Sequence, residues 1–176
     1  MSSAQKTSLK LDWCSYEAAK YAVEHWHYSR CVPHQKTVKV GVWENGRFVG
    51  AVLFGDGANS GMFNPYGLAY SQGCELVRIA LAQHNSSVSR IIKIGLGFLK
   101  KACPKIRLVI SFADPEQGHL GAIYQAGNWI YAGRTMPADE YLVNGVRMHG
   151  RALHATRSTH RLKNVAEQNI LEWTRR

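Results

Sequence analysis

Residues 74–113 read CELVRIALAQHNSSVSRIIKIGLGFLKKACPKIRLVISFA, and this stretch decides the fold. Its first nine residues, 74–82, form a short apolar run of the kind that makes a central strand. In the next segment Val88, Ile91, Ile92, Gly95, Leu96 and Leu99 recur at the spacing of one helix face, with Arg90, Lys93, Lys100 and Lys101 on the other positions. Pro104 ends that helix. Residues 106–113, IRLVISFA, are the best buried-strand candidate in the chain.

Working towards the N-terminus, TVKVGVW (37–43) and RFVGAVLFG (47–55) flank Asn45-Gly46, the strongest short hairpin signal. Residues 15–27 predict a helix with Ser15 placed as its cap. Residues 55–73, rich in Gly, Asn and Pro, read as a long loop. Towards the C-terminus the pattern predicts a short helix over 120–127, a strand at WIYAG (129–133), and a hairpin over 140–153 around Asn144-Gly145. The last stretch reads as polar, and helical from about Arg161. A strand–helix–strand–helix–strand core behind a hairpin implies an α/β (α+β) domain with a central mixed, twisted sheet and helices on both faces. Neither a linker nor a repeat divides the 176 residues, so one domain is expected, with a basic polar segment over about 154–176.

The chain carries a formal charge of +10 and 45% hydrophobic residues. A domain this basic with a core of its own points to a polyanionic partner, nucleic acid first. From Val77 to Phe112 there are seven Lys or Arg and not one Asp or Glu. Cys14, Cys31, Cys74 and Cys103 form no C-x-x-C pair, which implies a reducing compartment. No apolar run approaches the roughly 20 residues that span a bilayer, and MSSAQKTSLK has no signal core. A cytoplasmic location is the expectation.

Four clusters carry chemistry. His25-Trp26-His27-Tyr28-Ser29-Arg30 sits where the first helix ends. Histidines two apart do not share a helix face, and either one suits a helix C-terminus as a capping cation. In Glu75-Leu76-Val77-Arg78, plain alternation puts Leu76 and Arg78 on one face, and an Arg inside an apolar strand is either ion-paired or a clamp for an anion. Gln83-His84-Asn85-Ser86-Ser87 opens the basic helix, where free N–H groups and hydroxyls suit phosphate as well as an ordinary cap. Finally Ser111-Phe112-Ala113-Asp114-Pro115-Glu116-Gln117-Gly118-His119 leaves a strand end, the usual ligand position in open α/β sheets. Asp114 suits a base, an orienting group, a metal ligand or a simple turn, and Tyr124 suits a proton donor or the core.

The strings EHWHYSR, VGVWENGRFVGAVLFG, ELVRIAL, SRIIKIGL, LVISFADPEQGH and GAIYQAGNWIYAG, in this order over roughly residues 20–155, resemble the Mom family of phage DNA-modification proteins. That resemblance implies a GNAT acyltransferase-like fold. It also implies a transferase that hypermodifies adenine at N6 with a carbamoylmethyl (methylcarbamoyl) group, shielding the phage genome from host restriction.

Carried over, His27, Tyr28, Asp114 and Tyr124 would be catalytic. Arg78, Ser86, Ser87, Ser89 and Arg90 would hold the donor, expected to be acetyl-CoA or another small acyl or aminoacyl compound. GNAT enzymes place glycines in that loop, and here serines stand instead. His27, Tyr28 and Asp114 are also donors of the kind iron accepts. Double-stranded DNA with a flipped adenine is the expected partner, met by Arg30, Lys36, Tyr66, Arg151, Arg157, Arg161 and Lys163, with no membrane involved. Trp26, Tyr28, Phe63 and Tyr66 are candidate base-stackers, and loop 55–73 a wedge or lid. Two other readings compete: an ordinary GNAT N-acetyltransferase, against which the missing glycines count, and a non-catalytic basic DNA-binding protein, which has no need of Arg78 and Asp114 in strands.

Overall fold

A computed structural model describes residues 7–135, 139–143, 146–149 and 170–175. The chain forms two compact units, residues 1–130 and 131–176, described in turn.

The first unit is a mixed α+β layer structure on a five-stranded open sheet. Strands β1 (Leu9–Trp13), β2 (Thr37–Glu44), β3 (Arg47–Gly55), β4 (Gly73–Leu81) and β5 (Leu108–Ile110) lie in the order β1-β2-β3-β4-β5. Neighbours are antiparallel except β4 and β5, which run parallel as the ends of a crossover through α2 (Val88–Ala102). The Asn45-Gly46 turn, both residues at positive φ, closes the β2–β3 hairpin as its sequence demands.

Helices cover both faces. On one side Ala19, Ala22 and Val23 of α1 (Tyr16–Trp26) pack with Ala51, Leu53, Val77 and Ala80. On the other, Ile91, Ile92 and Leu99 of α2 pack with Val40, Val42, Val49, Val52, Phe54, Cys74 and Leu76. The expected apolar stripe of α2 is thus the stripe it buries. Ser15 caps α1 by accepting the Ala18 N–H at 3.1 Å.

Several sequence expectations give way. Strand β1, with the alternating run LKLDW, pairs along β2 and was not foreseen. WIYAG forms no strand: the Trp129 N–H turns back to the Tyr124 carbonyl at 3.0 Å, so it joins the end of helix α3 (Ala122–Gln125) rather than a ladder. Loop 55–73 contains two 3-10 turns, Asn64–Tyr66 and Tyr70–Gln72. Phe63 anchors it, fully buried between Gly57 and Gly73, where any Cβ on either glycine would collide with the ring. Removing such a ring costs about 3–5 kcal/mol, so Phe63 is a core residue and no stacker. Trp26 is half-buried against Phe48 and likewise serves the core.

In the second unit β6 (Asp139–Val143) lies between β7 (Val146–His149) and β8 (Ile170–Arg175), all antiparallel. The foreseen hairpin is therefore present as β6 and β7. Strand β8 replaces the end of the expected C-terminal helix, and residues 170–175 pair antiparallel along β6. Arg151, Arg157, Arg161 and Lys163 lie outside the described residues. Among the described residues no helix is long and apolar enough to cross a membrane, and the four cysteines are unpaired.

Candidate active site

Strand β4 carries a bulge that the alternation of its side chains conceals. Phe54 pairs with Leu76 and Leu53 with Arg78, so Val77 is the extra residue. A bulge re-aims the side chains that follow it. Leu76 faces α2, but Arg78 shares a face with Leu53 on the α1 side, which corrects the expected pairing of Leu76 with Arg78. Two carbonyls hold the guanidinium: Nε donates to Cys31 O at 3.2 Å and Nη1 to Val77 O at 2.7 Å.

The exit of α1 meets it there. His25 turns back, stacking on Tyr21 with Nδ1 bonded to the Tyr21 carbonyl at 2.8 Å. It is the structural histidine of the pair. His27 breaks the helix in an extended conformation, and the Arg30 N–H, at a left-handed residue, closes the turn on the His27 carbonyl.

The Ser29 N–H donates to His27 Nδ1 at 3.1 Å, and the Ser29 hydroxyl lies at 2.8 Å from the same atom. An Nδ1 that accepts leaves the ring proton on Nε2. Burial first, then the neighbouring Arg78 and His119, push the His27 pKa down to about 4. The imidazole is therefore neutral at physiological pH and presents an N–H.

Tyr28, half-exposed, lies between rings, 4.3 Å from His27 and 5.5 Å from His119. Its hydroxyl bonds to the Asp114 carboxylate. Partial burial, then the Asp114 charge and that hydrogen bond, with Tyr124 adding and Arg78 opposing, raise the Tyr28 phenol above its usual range. It keeps its proton for Asp114.

Asp114 is placed by the end of the parallel ladder. Pairing of β4 with β5 stops at Glu75 and Ile110. The next residue, Ser111, caps the opening by donating its hydroxyl to the Leu76 carbonyl at 3.1 Å. Because that proton is committed, Tyr124 is the donor in the 2.7 Å Ser111–Tyr124 bond. Burial raises the Tyr124 phenol above its usual range. The Asp114 carbonyl accepts the N–H groups of Gln117 and His119, a tight turn that brings the His119 ring onto Tyr28.

His27, Tyr28, Arg78, Asp114 and Tyr124 thus share one site. Ser29, Ser111 and His119 belong to it as well; each stands in one of the clusters read from the sequence, but none was given a role of its own there.

The serine loop before α2 is elsewhere engaged. Glu44, at the tip of the β2–β3 hairpin and only 5% exposed, accepts the Asn85 N–H at 2.8 Å and the Ser86 N–H at 2.6 Å. Burial by itself would raise this carboxyl. The Ser86 hydroxyl, the two N–H groups and nearby His84 outweigh it and hold Glu44 below the usual carboxylate range. Arg47, on the other side of the same turn, donates to the Gln83 carbonyl at 2.9 Å. Ser87 makes no capping bond with its side chain, and Arg90 is exposed. Among the DNA-contact candidates, Arg30, Lys36 and Tyr66 are exposed.

Over this fold and this site, the sequence model of one family matches residues 8–176. The chain belongs to the Mom protein family. No individual curated protein matches it. Membership of the Mom family makes the chain a DNA-modifying enzyme and points to adenine in phage DNA as what it modifies.

Iron at His27, Tyr28 and Asp114 would require changes at two of these three groups. Among the described residues no three His, Cys, Asp or Glu side chains converge as metal ligands. His27 could offer Nε2 to a metal only by moving its proton to Nδ1 and losing the Ser29 N–H bond. Tyr28 would have to release its phenol proton on binding a metal.

Proposed function

We propose that the protein is a transferase with a GNAT-like fold that installs a carbamoylmethyl group on N6 of adenine in phage DNA, protecting that DNA from host restriction. The observation that carries the reading is the bond between Tyr28 and the Asp114 carboxylate, set beside a neutral His27 and an anchored Arg78 in a single opening of the sheet. A protein that only bound DNA would need none of these buried or half-buried groups.

Each residue has a part in the chemistry. The half-exposed Tyr28 ring, flanked by His27 and His119, is a stacking platform for an adenine turned out of the duplex, an extrusion costing a few kcal/mol. His27 Nε2–H donates to a ring nitrogen of the base and orients it.

Adenine N6 is a weak nucleophile because its lone pair is delocalised into the ring. Asp114 supplies the base, reached directly or through Tyr28. As the N6 electron pair forms the bond to the activated methylene carbon of the donor, the N6 proton passes to Asp114. The leaving group departs with its bonding pair, and Tyr124 exchanges its bond to Ser111 for proton donation to that group. Arg78 holds the anionic part of the donor. The donor is a small compound with an electrophilic methylene and a leaving group, and no oxidant or reductant is consumed.

Nucleoside mass spectrometry of plasmid DNA from expressing cells tests the reading. A deoxyadenosine heavier by one carbamoylmethyl group is expected. DNA containing only ordinary nucleosides, from cells with soluble protein, would contradict it.

A further inference from the structure

The loop that opens α2 is built like an anion site and already holds an anion. Two consecutive backbone N–H groups, Asn85 and Ser86, point at one carboxylate, and the Ser86 hydroxyl adds a third bond. These two amides lie in the loop just before the N-cap Ser87 of α2, and consecutive backbone donors of this kind are what a phosphate group would use. Here Glu44 occupies them from within the chain, 41 and 42 residues away in sequence and nearly out of solvent.

The hairpin tip fixes Glu44 in place. Arg47 pairs with it across the turn and bonds the Gln83 carbonyl. Next to it Asn45 exchanges two hydrogen bonds with Ser8, at 2.9 and 3.0 Å. Displacing the carboxylate would bury a charge without donors or require the hairpin tip to move, and either is costly.

We infer that Glu44 is the resident anion of this loop, so that the loop is closed to phosphate and the donor does not dock there through a coenzyme A diphosphate. The serines that stand in place of glycines are then part of a structural clasp. Ser86 binds Glu44, and Ser87 begins the helix without offering a hydroxyl to it. The donor's anionic group is left to the other side of the sheet, where Arg78 is anchored. The inference rests on the proposed transferase reading only for the existence of a donor. It is tested without DNA, so its failure is distinct from a failure of that reading.

The experiment uses the full chain with coenzyme A and, separately, inorganic diphosphate as probes, following melting temperature and the Asn85 and Ser86 amide resonances. In the wild type neither probe should move the Asn85 and Ser86 amide resonances. Glu44→Ala should melt lower and gain an anion site: diphosphate at a hundredfold above Kd should raise its melting temperature by roughly 5–10 °C and move the two amide resonances. Wild-type protein in which coenzyme A moves the Asn85 and Ser86 amides overturns the inference. So does a Glu44→Ala protein that is as stable as wild type and insensitive to diphosphate. If Glu44→Ala does not fold, the wild-type titration still decides, and Glu44→Gln, which keeps the shape and one acceptor, repeats the stability arm.

Discussion

Two loops leave the sheet beside the parallel pair, one before α2 and one after β5, and they have opposite fates. Both are polar, both carry serines, and both sit where ligands are commonly bound. In the loop before α2 the Asn85 and Ser86 amides and the Ser86 hydroxyl converge inward on Glu44. In the loop after β5 they converge with residues from α1 and the bulged strand, and the half-exposed Tyr28 ring is left facing outward. The difference lies in what a distant residue brings: a compensating charge in one case, a set of reactive groups in the other. Polar composition at a helix start is therefore no guide to binding until the partners of its N–H groups are known.

The sharpest way to break the comparison is Asp114→Asn. It keeps the shape but removes the base, and DNA modification should fall by about 10²–10⁴-fold while melting temperature and DNA affinity hold. Modification at the wild-type rate would make Asp114 a turn residue. Removing single hydroxyls should cost less. Tyr28→Phe and Tyr124→Phe are each expected to slow modification by about 10–100-fold, measured as modified nucleoside against time, with DNA binding retained.

On the other loop the effect should be on stability. Glu44→Gln should lose about 1–3 kcal/mol in denaturant unfolding. Because its folded-state pKa is depressed, the Glu44 contribution is present above the unfolded value near 4.5 and is lost as pH falls through the lower folded value. The loss caused by the substitution should therefore shrink in acid, and a loss independent of pH would sink the carboxylate's role as a bound anion.

His27 gives a smaller effect of related sign. Its folded pKa, about 4, lies below the usual 6.5, so folding favours the neutral ring. Its contribution is complete above pH 6.5 and disappears between there and pH 4. His27→Gln should flatten the stability profile in that window and leave it unchanged above pH 7. Smallest per residue is the electrostatic term: replacing Arg157, Arg161 and Lys163 by Ala should reduce the log–log salt slope of DNA binding by about 0.9 for each phosphate no longer neutralised. An unchanged slope would show that these residues do not track the DNA backbone.

Much of the fold was legible because it rests on periodicity. The β4–α2–β5 order, the β2–β3 hairpin and the Ser15 cap follow from spacing and turn chemistry alone, although β5 keeps only Leu108–Ile110 of the expected run 106–113 and is half-buried. Where a feature depends on a partner, the sequence was silent or misleading. LKLDW is too short to read as a strand without β2 beside it, and the aromatic run WIYAG looks like a strand until the Trp129 N–H is followed to Tyr124.

Arg78 could be recognised as unusual, but not its direction, since one extra residue at Val77 turns it to the other face. The two histidines of EHWHYSR were equivalent on paper. They are separated by Tyr21, which claims His25, and Ser29, which claims His27. Glu44 gave no signal at all, being an acid beside a hairpin turn.

One paired measurement is the most direct test: deoxyadenosine modification per folded protein, by nucleoside mass spectrometry, in wild type, Asp114→Asn and Glu44→Gln side by side. The prediction is a carbamoylmethylated nucleoside from wild type and Glu44→Gln at comparable rates, and from Asp114→Asn at a rate lower by about 10²–10⁴-fold. Loss of modification in Glu44→Gln with retention in Asp114→Asn would contradict it, moving the chemistry to the loop described here as closed.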